Sequence, residues 1–183
     1  MKPKKLKLEV LIKKMTIKQQ DVCNKIRKNF ASSFDIIPGS SHNHQAWVGG
    51  YKDHLEEVMN IAYVLYESLN MRRKLDFSLS SGLFLLFLHD MDKVFRYEIS
   101  SGNVVQKELY NVGFVKKITT LIRQKYNYIL NKRELNALQY VHGEGKDYSS
   151  KKRVMDPLTA FVHCCDIISA RIWFDKGKDN LYW

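Results

Sequence analysis

The sequence predicts an all-α fold, a helical bundle with a short basic N-terminal arm, on three observations. Apolar residues recur at the spacing of one helix face, and the alternating pattern of half-buried strands is hard to find. Only three prolines and nine glycines interrupt the 183 residues, and most of them fall in or next to the predicted loops. The length suits one domain with a sizeable core. We therefore predict an arm over residues 1–15 and a single domain over residues 16–183.

The first helices of the domain are predicted from capping and periodicity. Thr16 followed by Gln19 has the pattern of a capping box, which opens a helix to about residue 30. Proline and glycines over residues 36–50 predict a loop. From about residue 52 to residue 70, apolar side chains at i, i+3, i+4 and i+7 predict a helix with one buried face.

The next helix is predicted to be the central one. Ser78 or Ser80 is its predicted N-cap, and it carries the apolar run Leu83–Leu88 on to about residue 95. Because this segment is apolar nearly all round, it should lie inside the bundle.

The second half of the domain begins with a turn, or a small hairpin, over residues 97–103. Helices are predicted near residues 112–128 and 132–142, the latter ended by glycines. Asp156 followed by Pro157 predicts an N-cap and first helical position, and that helix should run to about residue 175.

Charge and composition limit the classes of partner. The net charge is +11, and residues 1–30 hold +8 of it, so the basic character belongs mainly to the N-terminal segment. This charge fits either a solvated helix face or a surface that attracts nucleotides or single-stranded nucleic acid, and charge alone does not separate the two.

The apolar segments and the cysteines predict a soluble cytoplasmic protein. The longest apolar run, Leu83–Leu88, is far shorter than the roughly 20 residues of a membrane span, so no membrane partner is expected. The start of the chain lacks the pattern of a signal peptide. Three cysteines without CxxC spacing fit free thiols, and Cys23 and Cys165 are predicted to be core residues.

The pair His89–Asp90, at the end of the apolar run, is the most informative motif. An imidazole and a carboxylate at the mouth of a buried element form an arrangement that binds a metal. His54 and Asp166 stand on predicted helices upstream and downstream. A carboxylate such as Asp166, on an otherwise apolar helix, is costly to bury unless it is paired or bound to a metal.

Four segments extend this motif into a resemblance to the HD superfamily of metal-dependent phosphohydrolases. Residues 44–54 resemble the opening His-x-Ala-aromatic-x-Gly-Gly-x-x-x-His of a bacterial subgroup. Residues 88–93 resemble the signature Leu-His-Asp-x-Gly-Lys, with Asp92 where glycine is usual. The other two segments are residues 140–144 and 157–169. Together they span roughly residues 42–172. The resemblance implies an HD-domain helical bundle.

The resemblance also implies a metal centre with the ligands His54, His89, Asp90 and Asp166. A mixed set of nitrogen and oxygen donors suits Mn, Co, Fe, Zn or Mg and does not name one of them. Such a divalent metal ion binds phosphate oxygens and activates a water that attacks phosphorus.

Further residues have roles that the resemblance suggests. Lys93 would meet the substrate phosphate, and Arg171 would help to offset its charge. His142 would complete a second metal site or contact a phosphate. Asp92 is a second-shell partner, a general acid or base, or a solvent-facing residue, and the sequence does not choose.

His44 and Trp47 precede the first proposed ligand by a loop's length. They would line the mouth of the pocket, where the flat ring of Trp47 offers a face for a base. Trp47 has an equally good explanation as a residue that packs the loop down.

The leading prediction is an enzyme, a phosphohydrolase acting on nucleotides, either deoxynucleoside monophosphates or triphosphates. One alternative is a 3′–5′ exonuclease on single-stranded nucleic acid, bound through the basic arm. Another is a non-enzymatic nucleic-acid-binding protein with a vestigial site, although all four ligand positions are filled here. A homo-oligomer is also compatible with the sequence.

Overall fold

The computed structural model describes residues 4–40, 43–100, 103–106 and 113–173, and it confirms the all-α fold. The helices in these residues are α1 (Leu8–Ile12), α2 (Ile17–Asn29), α3 (Ala31–Ile36), α4 (Gly50–Arg72), α5 (Leu79–Leu88), α6 (Lys93–Arg96), α7 (Phe114–Tyr126), α8 (Lys132–Tyr140) and α9 (Pro157–Ile167). Strands β1 (Tyr97–Ser100) and β2 (Asn103–Gln106) form an antiparallel hairpin. A 3-10 turn covers Gly145–Asp147, and a π-helical turn, Ile168–Ile172, continues α9.

The centre of the bundle is α5, as predicted. All six side chains of Leu83–Leu88 are 0% exposed, because helices α1, α2, α4, α8 and α9 pack around them. Burying each of these large side chains stabilises the fold by about 1.5–3 kcal/mol. No helix among the described residues is both long enough and apolar enough to cross a membrane. Cys23 and Cys165 are buried with free thiols, as predicted.

Side-chain caps set the starts of the predicted helices. The Thr16 hydroxyl accepts from the backbone N–H of Gln19, and the Gln19 side chain accepts from that of Thr16, which completes the capping box. Ser78, rather than Ser80, caps α5. Asp156 caps α9, with Pro157 at the first helical position. Local signals therefore placed these three starts correctly, because each cap satisfies backbone donors that the helix leaves unpaired.

The N-terminal segment differs from the predicted arm. Leu8, Leu11 and Ile12 of α1 are buried in the core, at 0–1% exposure. Leu6 and Asn60 of α4 exchange two hydrogen bonds of 2.8 Å between backbone and side chain. Burial of these apolar side chains determines the position of the segment more than its lysines do. From residue 6 onward the segment is therefore part of the bundle.

The central helix ends earlier than predicted. It stops at Leu88, residues 89–92 form turns, and α6 begins at Lys93, whereas the sequence suggested one helix to about residue 95. The apolar pattern continues across the break, so periodicity could not locate it. Helix α3 was also not predicted, and the predicted end of the last helix at residue 175 lies outside the described residues.

Candidate metal centre

Three parts of the bundle bring His54, His89, Asp90 and Asp166 to one point. His54 lies in the second turn of α4, His89 and Asp90 follow the end of α5, and Asp166 lies in the last turn of α9. His54 and His89 are 0% exposed and Asp90 is 6% exposed. The packing of α4 and α9 against α5 therefore decides where these ligands meet.

The donor atoms of the four side chains are spaced as ligands of one ion. His54 Nε2 lies 3.3 Å from His89 Nε2, 3.5 Å from Asp90 Oδ2 and 3.3 Å from Asp166 Oδ1. His89 Nε2 lies 3.5 Å and 3.6 Å from the same two oxygens. Neighbouring ligands bonded to a divalent ion at 2.0–2.2 Å are about 2.8–3.6 Å apart, so each of these five distances fits two ligands of such an ion.

The ring of His89 is oriented by the backbone of α5. Its Nδ1 lies 2.6 Å from the carbonyl oxygen of Leu86. Because a carbonyl oxygen only accepts, Nδ1 carries the hydrogen and donates it. Nε2 therefore faces the cluster, and it offers the lone pair that a metal ligand needs once a cation displaces the proton on that nitrogen.

The ring of His54 is oriented by a chain of buried side chains. The Ser169 hydroxyl donates to Glu57 Oε2 at 2.6 Å, so the Ser169 oxygen accepts from His54 Nδ1 at 3.1 Å. The amide of Gln45 also donates to Glu57 Oε2, at 2.7 Å. His54 Nε2 thus presents a lone pair to the cluster as well. Histidines that bind metals are commonly oriented in this way, by a hydrogen-bonded group on the ring nitrogen that does not face the metal.

The electrostatics of the cluster favour a cation at its centre. Burial would raise the pKa of Asp90, but Lys93 and His89 outweigh it and hold that pKa well below its usual range. Burial lowers the pKa of His54 to about 4. Burial would do the same to His89, but Asp90 and Asp166 raise its pKa to about 9. The two ionised carboxylates therefore attract positive charge to the point between the imidazoles.

Lys93 and His142 contact the outer side of the two carboxylates. Lys93 Nζ lies 2.5 Å from Asp90 Oδ2, and the lysine is 6% exposed. His142 Nδ1 lies 3.2 Å from Asp166 Oδ2, and its Nε2 lies 3.6 Å from Asp90 Oδ1. The side chain of His142 is 55% exposed, so this imidazole stands between the cluster and solvent.

Asp92, which replaces the usual glycine of the family motif, is buried rather than solvent-facing. Its carboxylate forms an ion pair with Arg96, one turn later in the chain. Burial and the neighbouring Asp90 raise the pKa of Asp92. The contact to Arg96 holds a cationic side chain at the edge of the site.

A cavity of about 450 Å³ opens beside the cluster. The described residues that line it are Gly39, Ser40, Asn43, His44, Asp90, Asp92, Lys93, Arg96, Tyr97, Phe114 and His142. Trp47 and Arg171 are not among them. The indole N–H of Trp47 donates to Asp53 Oδ2 at 2.7 Å, which packs the loop onto α4, and Arg171 is exposed on the π-helical turn.

Residues that the sequence did not indicate complete the site. Glu57, Ser169 and Gln45 support His54, and Leu86 supports His89. A sequence signal existed only for Glu57, an acidic residue one turn after His54. No spacing rule links Ser169 or Gln45 to His54.

No protein-family model, curated protein or solved structure matches this chain. The resemblance to the HD superfamily therefore depends on the four sequence segments alone. The geometry of the metal centre is an independent observation, since it comes from the positions of the side chains.

Proposed function

We propose that this protein is a metal-dependent phosphohydrolase that acts on nucleotide phosphates. One observation carries the proposal: His54 and His89 are both anchored through Nδ1, so that their Nε2 atoms lie 3.3 Å apart and face two carboxylates. Two lone pairs at that distance repel each other unless a proton or a cation lies between them. A divalent cation satisfies both nitrogens and both carboxylates at once.

A divalent ion held by these four residues would bind phosphate oxygens and lower the pKa of a water molecule. The chain's own residues supply the rest. Lys93 and Arg96 offset the negative charge of a phosphate in the cavity. His142, half exposed and in contact with both carboxylates, is positioned to take or give a proton at the reacting oxygen.

The lining of the cavity supports a nucleotide as the substrate. Its volume of about 450 Å³ falls within the range of small-molecule sites. Two aromatic rings, Tyr97 and Phe114, line it together with the cations. A flat apolar surface beside positive charge matches a molecule that carries both a base and a phosphate.

The experiment is a screen of the purified protein against ribo- and deoxynucleotides and a short oligonucleotide, each with several divalent metals. We expect phosphate release that a chelator stops and that the Asp90→Ala variant lacks. That variant should keep its helical circular dichroism, because Asp90 lies outside the α5 core. Full activity in the variant and after chelation would disprove the proposal.

A second candidate, a 3′–5′ exonuclease, is supported by α7. This helix has no acidic residue, and its four cations Lys116, Lys117, Arg123 and Lys125 are exposed. Phe114, its first residue, lines the cavity. Salt separates the two candidates: cleavage of a strand bound along α7 should weaken steeply as salt rises, whereas hydrolysis of a mononucleotide should respond modestly.

A further inference from the structure

His44 contains a buried nitrogen that has no hydrogen-bond partner among the residues that the structure describes. Its Nε2 is shielded from solvent and makes no hydrogen bond, although other parts of the side chain line the cavity. Buried polar atoms are rarely left unpaired, because losing water without gaining a partner costs free energy. The structure therefore indicates that Nε2 has a partner other than the protein.

The position of His44 shows where that partner lies. A ring nitrogen of His44, a donor of His54 and a donor of Asp90 are all within 4.8 Å of one another. The rings of His44 and His54 have centroids 4.9 Å apart. Ligands on opposite sides of one ion are about 4.0–4.4 Å apart, so His44 reaches the same ion after a movement of less than about 1 Å.

The loop that carries His44 is held in place by the groups that orient His54. Gln45, the next residue, binds Glu57 and adopts the left-handed backbone conformation, with φ of 42°. The backbone of Gln45 can approach residue 50 this closely only because residue 50 is glycine, since a Cβ there would lie 1.8 Å from the Gln45 carbonyl oxygen. The backbone N–H of His44 donates to Ser40 Oγ at 2.9 Å. The imidazole is thus positioned before any ligand binds.

The shielding of Nε2 distinguishes an ion from a substrate. A phosphate that enters from the cavity would meet the solvent-accessible atoms of His44 and not this nitrogen. An ion held by His54 and Asp90 would lie next to this ring, because a ring nitrogen of His44 is within 4.8 Å of a donor of each.

We propose that His44 is a fifth protein ligand of the divalent ion, through Nε2. This inference rests on the proposed metal centre but not on which substrate the centre cleaves. A third imidazole adds a nitrogen donor and favours transition metals over Mg, because Mg prefers oxygen ligands.

The test compares Co²⁺ binding by the wild-type protein, by His44→Ala and by Val48→Ala, an exposed position in the same loop. Affinity is measured by competition with a chelator, and coordination by the visible absorption of the bound ion. We expect His44→Ala to bind Co²⁺ on the order of 10- to 100-fold more weakly, with an altered spectrum. Val48→Ala should match the wild type in both measurements.

X-ray absorption spectroscopy of the Co²⁺-loaded wild-type protein is a second measurement, and it does not depend on whether His44→Ala folds. Two imidazoles around the ion would overturn the inference. Three imidazoles that are also found in His142→Ala would support it, because the third is then not His142. Unchanged affinity and spectrum in a folded His44→Ala variant would overturn it too, while leaving the four-ligand centre intact. A wild-type protein that binds no divalent ion would instead remove the proposed function together with this inference.

Discussion

The inner and outer sides of the metal centre are built in different ways. On the inner side, His54 and His89 are completely buried, and each ring is held through Nδ1 by a group of the core. On the outer side, His142 is 55% exposed, and Arg96 is 37% exposed and held mainly by Asp92. The comparison suggests that the inner side decides whether a metal binds, and the outer side decides what happens to the substrate.

The largest effect should follow a change in the ligands themselves. Asp166→Asn removes the charge that both imidazoles face at 3.3 Å and 3.6 Å. We expect loss of tight metal binding and a fall in kcat on the order of 10³-fold or more. Calorimetric titration with Mn²⁺ or Zn²⁺ and a phosphate-release assay measure the two effects. Tight binding in this variant would show that the inner side does not control the metal.

A smaller effect should follow the loss of a supporting group on the inner side. Ser169→Ala leaves His54 Nδ1 without its acceptor and removes one of the two donors to Glu57 Oε2, the other being Gln45. We expect metal affinity to fall about 10- to 100-fold, because the imidazole loses its fixed tautomer and orientation. Ser32→Ala, at an exposed serine of α3, is the matched control in the same titration. Equal affinities in both variants would contradict the role of Ser169.

A change on the outer side should separate catalysis from metal binding. His142→Ala removes the imidazole that contacts both carboxylates from the solvent side. We expect kcat to fall about 10²-fold, in line with the loss of an acid–base group, while metal affinity changes less than in Ser169→Ala. Steady-state kinetics and titration of the same sample test this. A parallel loss of metal would place His142 among the ligands.

The smallest effect should follow neutralisation of the N-terminal charge. Lys13→Gln with Lys18→Gln alters two exposed side chains. The change in unfolding free energy should stay within about 0.5 kcal/mol, as for other surface substitutions. Nucleotide hydrolysis should also be little changed. Deleting residues 1–14 should instead destabilise the protein, because the deletion removes Leu8, Leu11 and Ile12 from the core. Urea unfolding compares the two variants.

The sequence predicted those parts of the molecule that depend on local signals. The capping box at Thr16 and the apolar run Leu83–Leu88 identified helices correctly, because caps and periodicity act over a few residues. The four proposed ligands also emerged from sequence, through the resemblance to the HD superfamily, and the structure brings these side chains together. The break after Leu88 did not, since the apolar pattern runs through it.

Contacts between distant residues could not be predicted in this way. Gln45 and Ser169 meet at Glu57, although 112 residues separate Glu57 from Ser169 in the chain. No local pattern encodes such a meeting, which depends on how α9 packs against α4. For Trp47 the sequence left two roles open, and the hydrogen bond from its indole N–H to Asp53 agrees with packing of the loop.

The complete burial of α5 predicts how the fold would respond when a metal ion is added or removed. His89 and Asp90 follow directly after side chains that are wholly enclosed by other helices, so folding alone assembles the binding geometry. A chelator should then strip the ion without melting the helices, unlike the behaviour of zinc fingers. Metal ions would then exchange without unfolding of the protein. The relative concentrations of the metal ions in the cell would determine which one is bound. Thermal unfolding measured with and without each ion would detect binding as a rise in Tm.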